Sequence, residues 1–181
     1  MALINTTTTG VLGSTFYGDG TGSLTVQQNG VTLGTYGNIP LFSAYKSGSA
    51  QTISTGTYTK ITFESEEFDT NNNFASSRFT STVAGYYQIN WLINIGSGSG
   101  SYEWVSSIFK NGVSYKTGLD ANSSQFGIGG SALVYLNGTT DYIEIWSYQG
   151  SGGNKSIPAY QTGTWFEGFL VKAAWWHYTK K

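Results

Sequence analysis

From residue 39 onward, apolar and polar positions alternate in short runs separated by turn residues. The alternation is strict over 142–148. There Ile143, Ile145 and Ser147 fall on one side of an extended strand, and Tyr142, Glu144, Trp146 and Tyr148 on the other. In 165–170, Phe166, Gly168 and Leu170 oppose Trp165, Glu167 and Phe169 in the same way. Further strands are read at 41–45, 58–63, 86–95, 103–110, 113–116 and 126–136. Asn71-Asn72-Asn73, Asn111-Gly112 and Asn137-Gly138 mark turns between them. Loops rich in Ser, Thr, Gly and Asn fill 47–57, 96–101, 117–125 and 149–160. No window keeps a helical period, so the pattern predicts an all-β sandwich or jelly roll.

Residues 1–40 are different. They hold eight glycines and a single charged residue, Asp19. The segments 23–27 and 31–33 alternate around Asn29-Gly30, the strongest short hairpin signal in the chain. A hairpin over 23–34 lacks the apolar residues to stand alone, so it is expected to work as a stem buried against partner chains. The reading divides the chain into a stem, 1–40, a head, 41–172, and an aromatic and basic tail, 173–181.

Composition narrows the function. Gly, Thr, Ser and Asn supply 82 of the 181 residues, which suits turns and short strands rather than helices. Aromatic residues are 16%, too much ring surface for a disordered chain. Only 10% of residues are charged and the net charge is −1, which argues against nucleic-acid binding through phosphate contacts. Cysteine is absent and histidine occurs once, which removes disulfides, thiolate metal sites and most His-based catalytic arrangements. No cofactor or metal site is read. The apolar runs are far shorter than the roughly 20 residues of a membrane span, so no membrane insertion is expected. The polar, Thr-rich residues 1–10 do not read as an export signal. A protein made in a cytoplasm and released by lysis, as virion components are, fits that reading.

Five marks in order resemble the C1q-like branch of the C1q/TNF jelly-roll superfamily. They are Phe42-Ser43-Ala44; Phe79 with Gly85-Tyr86-Tyr87; Asn111-Gly112; Leu136 with Gly138, Asp141 and Ile143-Glu144-Ile145; and Thr164-Trp165-Phe166-Glu167-Gly168-Phe169-Leu170. Together they cover about 41–171. Thr139-Thr140 intrude between Gly138 and Asp141, the N-terminal segment lacks a Gly-X-Y period, and the acidic loop clusters that bind calcium in some members are not evident. The resemblance implies a ten-stranded jelly-roll sandwich that assembles as a homotrimer. The stretch 18–26 is similar to segments that precede the terminal domains of phage fibre and virion-surface proteins.

Strand parity bears on assembly. A monomer leaves a sheet's outer face wet, and that face should be polar. Here both sides of 142–148 and 165–170 carry rings, so Tyr142, Trp146, Tyr148, Trp165 and Phe169 are expected to line a three-fold interface. The alternative is that they are isolated surface rings or lie under a loop. In the tail, Trp175, Trp176 and Tyr178 are candidates for docking on other virion proteins, or for packing on the stem. His177 has no marked nucleophile or orienting acid beside it. Glu64, Glu66, Glu67 and Asp69 form the acidic cluster, read as a charged solvated edge rather than a hydrolytic pair. The glycines at 96–100 and 127–130 lack the Lys-Ser/Thr of a phosphate loop and read as loop and strand glycines.

The expectation is a non-enzymatic, trimeric structural protein of the virion surface. It would be a phage fibre tip or capsid decoration whose polar loops suit host-surface glycans. The alternative is a soluble cellular C1q-like lectin or binding module. A carbohydrate-active enzyme is the third class, and it would need two separated carboxylates in a groove.

Overall fold

The computed structural model describes residues 14–18, 24–28, 31–36, 39–95, 101–123 and 127–174. Contacts divide the chain into two units, Met1–Ile39 and Pro40–Lys181. The first is an antiparallel sheet of β1 (Ser14–Gly18), β2 (Leu24–Gln28) and β3 (Val31–Tyr36) in that order. β2 and β3 are the two arms of the expected hairpin; their Asn29-Gly30 turn lies outside the described residues.

The second unit is the head, a sandwich of two antiparallel sheets. Its strands are β4 (Leu41–Tyr45), β5 (Gln51–Ile53), β6 (Thr59–Lys60), β7 (Ser65–Asp69), β8 (Phe74–Ala75), β9 (Arg78–Thr80), β10 (Gly85–Asn94), β11 (Tyr102–Lys110), β12 (Val113–Ser123), β13 (Gly127–Leu136), β14 (Tyr142–Gln149), β15 (Lys155–Ile157) and β16 (Trp165–Ala173). The front sheet has five strands in the order β13-β10-β16-β4-β7. The back sheet runs β12-β11-β14-β9-β8, with β6 also paired to β14. β15 and β5 form a small separate pair. Strands adjacent in sequence often lie in different sheets, as a jelly roll requires. Beyond the ten strands expected, the short β5 and β15 occupy segments read as loops, and β12 runs on through 117–123, also read as loop.

The inward rows of both sheets form the core. In β10 burial alternates residue by residue, with Tyr87, Ile89, Trp91 and Ile93 inside. Phe42 stacks on Phe79 with centroids 4.4 Å apart and meets Phe166 edge-on at 4.8 Å. Three of the motif residues are therefore one ring cluster. Each fully buried phenylalanine contributes about 2–3 kcal/mol of apolar transfer. The Trp91 ring needs two glycines: a Cβ on Gly130 would lie 2.5 Å, and one on Gly118 2.6 Å, from its Cζ2. Gly129 and Gly130 are thus strand glycines, and Gly130 makes room for a ring.

The turns follow their chemistry. Asn111 and Gly112 both adopt positive φ, 53° and 79°, which a tight two-residue hairpin demands. The Asn111 side chain donates to Asp141 Oδ1 at 2.8 Å and accepts from the Tyr142 amide at 3.0 Å. The extra Thr139-Thr140 is absorbed locally. Asn137 Oδ1 accepts from the amides of Thr139, Thr140 and Asp141.

Candidate functional site

The acidic cluster separates into distinct roles. Glu64 leaves the edge and pairs with Lys46 at 2.8 Å, whose side chain is wholly buried. Burial pushes the Glu64 carboxyl up, but bonds from Lys46, Thr62 and Gly48 outweigh this and hold it below its usual value. Asp69 closes the next turn by accepting from the Asn71 and Phe74 amides. Glu66 and Glu67 stay exposed on β7, at the edge of the front sheet. Among the described residues no group of three or more His, Cys, Asp or Glu side chains converges as a metal site. No helix there is long and apolar enough to cross a membrane.

The five residues expected to share one interface divide between the two sheets. Tyr142, Trp146 and Tyr148 lie on the outer surface of the back sheet, whereas Trp165 and Phe169 lie on the outer surface of the front sheet. The core stands between them. Parity distinguishes the inside of a strand from its outside, but does not say which sheet the strand joins. The attachment candidates Trp175, Trp176 and Tyr178, and His177 with them, lie outside the described residues.

On the back sheet the outward row of β14 is covered from within the chain. Trp146 stacks on Phe109 at 4.7 Å and 23°. Tyr58, brought over by the loop before β6, reaches Phe109 at 5.3 Å and Tyr148 at 5.5 Å. Glu144 sits on this outward row yet is 3% exposed, because Lys60 and Arg78 close over it, each 2.8 Å from Oε1. Trp146 Nε1 donates to its other oxygen at 3.0 Å. Burial pushes the Glu144 carboxyl up, but these three donors outweigh it and hold the group below its usual value. Arg78 in turn lies over the Tyr142 ring, 3.8 Å from its centroid.

The front sheet is open. Phe68, Tyr86, Leu133, Tyr135, Phe169 and Val171 are between 39% and 54% exposed. The register places Tyr86 opposite Tyr135 and Gln88 between Leu133 and Phe169, so most of these residues share one end of the face. The rings of Tyr86 and Tyr135 meet edge-on at 5.3 Å. A hollow of about 220 Å³ between Phe68, Leu41 and Phe169 adds to this end. The apolar surface continues round the β13 edge, where Lys110 Nζ stands 5.8 Å from both the Tyr135 and the Tyr115 centroids. Lys110 and Lys116 also donate to the edge carbonyls of Tyr135 and Leu133, at 2.8 and 2.7 Å.

A polar row crosses the middle of the front sheet. Gln88 donates to Ser131 at 2.7 Å, Ser131 to Asn90 at 2.8 Å, Asn90 to Glu167 at 3.2 Å, and Ser43 to Glu67 at 3.0 Å. Beyond it, Trp165 stands directly across the strand pair from Tyr45. A groove of about 220 Å³ opens there, lined by Ser43, Tyr45, Glu67, Trp165 and Glu167 with Gln161 and Thr162. The alternation in 127–136 and 85–94 could have flagged Leu133, Tyr135 and Tyr86. The groove arises only from tertiary contacts.

With its two sheets, their strand order and its Phe42–Phe79–Phe166 core, the head is a C1q/TNF-type jelly roll. It is similar to the globular domain of zebrafish complement 1qA, at 22% identity and a TM-score of 0.52 over 75% of this chain and 99% of that one. It is also similar to the Eiger TNF of S. frugiperda, at 8% identity and 0.54 over 80% and 99%. Murine APRIL at pH 8.5 matches at 12% identity and 0.52 over 74% and 99%. No family model and no curated protein matches the sequence. At these identities the likeness defines the fold.

Proposed function

We propose that this chain is a non-enzymatic structural and binding protein of a virion surface, a phage fibre tip or capsid decoration, built as a homotrimer with a jelly-roll head that recognises glycans. The observation that carries the assembly is the open front sheet. An apolar face holding Tyr86, Leu133, Tyr135, Phe169 and Val171 is costly to leave in water and is what a partner surface covers. The partner is a second copy. The apolar surface turns the corner at β13, so each copy offers a face and an edge. An edge laid on the next copy's face makes a head-to-tail contact, and three such contacts related by a three-fold rotation close into a ring. The virion setting rests on the likeness of 18–26 to segments before phage fibre domains, and the tail and stem would attach the trimer there. A soluble cellular C1q-like binding module is the second reading, favoured by the animal sources of the similar structures.

Light scattering tests the assembly. A solution mass near three times 19.5 kDa is expected, falling to the single-chain mass in Phe169→Glu. A single-chain mass for the unaltered protein at micromolar concentration overturns it. Peptides of this chain in purified virus particles would support the setting. Their presence only in a cellular secreted fraction would favour the second reading.

A further inference from the structure

The groove at the Trp165 end of the front sheet has a chemistry of its own. Its volume of about 220 Å³ is below the roughly 300–1,000 Å³ of pockets for drug-sized ligands, so its occupant is one small ring. One side presents Trp165 and Tyr45, neighbours across the strand pair and both half-buried. Such rings offer flat apolar surface to the C–H face of a sugar. The other side is hydrogen-bonding: Ser43, Gln161, Thr162, Glu67 and Glu167.

The two carboxylates set the sign of the site. Ser43 occupies Glu67 Oε2 and Asn90 occupies Glu167 Oε1. Among the described residues, Glu67 Oε1 and Glu167 Oε2 accept no hydrogen bond, and neither group has an ion pair. Ionised carboxylates are acceptors only, so the groove asks for donors. No lysine or arginine lines it. An anionic sugar would meet like charge, whereas hydroxyls or an ammonium would meet acceptors.

The wall is built before any ligand arrives. The turn carrying Gln161 and Thr162 is closed by the Gly163 and Thr164 amides, which donate to the Tyr160 carbonyl at 3.1 and 2.9 Å. Thr164 anchors it to the sheet, accepting from the Lys46 amide at 2.9 Å and, through Oγ1, from the Asn94 amide at 3.0 Å. A fixed wall lowers the ordering cost of binding. The polar row Gln88–Asn90–Glu167 lies between this groove and the apolar end of the face, and Glu167 borders both.

We infer that this groove is a monosaccharide subsite for the end of a glycan. A pyranose ring lies against Trp165 and Tyr45 and directs hydroxyl or ammonium donors to Glu67 and Glu167, and acidic sugars are rejected. The inference rests on the glycan part of the function proposed above.

Three methyl glycosides of one ring shape test it on the full chain: glucoside, glucosaminide and glucuronide, which are neutral, cationic and anionic. The methyl group stands for the next sugar of a chain. Titration calorimetry with saturation-transfer NMR is expected to rank glucosaminide about fivefold above glucoside, with glucuronide weakest. Glu67→Gln with Glu167→Gln should remove that ranking while the folded signal stays intact, and Trp165→Ala should weaken all three. A glucuronide that binds as well as glucosaminide, or a ranking that survives the double variant, overturns the subsite. Light scattering on the same samples separates the two claims. A trimer that binds none of the three refutes the subsite and keeps the assembly. A monomer that binds in the expected order keeps the subsite and refutes the assembly.

Discussion

The two outward faces of the sandwich carry similar numbers of rings and treat them differently. Along β14 on the back sheet each outward ring has a partner within the chain: Trp146 with Phe109, Tyr148 with Tyr58, Tyr142 with Arg78. On the front sheet the Tyr86 and Tyr135 rings meet each other, and Phe169, Val171 and Leu133 are 45–54% exposed. An aromatic outer face is therefore not in itself a sign of assembly. What matters is whether a loop from elsewhere in the chain covers it, as the segment around Tyr58 covers the back.

This contrast is open to direct attack. The largest effect is expected from Trp146→Ala, which removes the stack on Phe109 and a donor to Glu144. It should lower unfolding stability by about 3 kcal/mol in urea titrations. The matching front-sheet change, Phe169→Ala, should shift the unfolding of the dissociated head by less than about 0.5 kcal/mol, while weakening self-association. If both cost the same, the front face is as self-supported as the back and the contrast fails. Next comes Glu144→Gln, which leaves Lys60 and Arg78 over a neutral amide. About 2 kcal/mol is expected, less than for a fully buried pair because both cations reach water.

Acid should act more gently on this cluster and on the separate Lys110–Asp141 pair. The Glu144 carboxyl is held below its usual 4.5 and Asp141 below its usual 3.8, the latter against burial by Lys110, Asn111 and the Asn137 amide. Groups lowered in the fold add stability that is complete above their unfolded values and is lost as pH falls through the folded ones. Urea midpoints should therefore decline below about pH 4, and the decline should be shallower in Glu144→Gln. A midpoint unchanged from pH 6 to pH 2 would contradict the ion cluster. The smallest effect belongs to Tyr86→Ser, expected within about 0.5 kcal/mol for the dissociated head and visible chiefly in solution mass.

Much of the fold was legible because β structure writes itself at short range. The 142–148 alternation placed Ile143, Ile145 and Ser147 inside, and Asn111-Gly112 announced its hairpin. Long-range partners were not legible. Glu144 reads as an outward charge on its strand, and only Lys60 and Arg78, 84 and 66 residues away, explain why it is buried. For the same reason Trp165 and Trp146 read alike, although one lines a groove and the other a covered stack. Glu64 and Glu67, three positions apart, have unrelated surroundings, one on a buried lysine and the other on the groove.

The lysines at the β13 border bear on the life of the protomer before it finds its neighbours. A newly made chain in a crowded compartment exposes a bare strand border, which invites indiscriminate stacking into fibrils. Lys110 and Lys116 already occupy the carbonyls of Tyr135 and Leu133 there, so a stray strand would have to displace two ammonium groups before it could add on. Side-chain docking needs no such displacement. The same border thus filters encounters by kind, delaying irreversible clumping while leaving orderly partnership open.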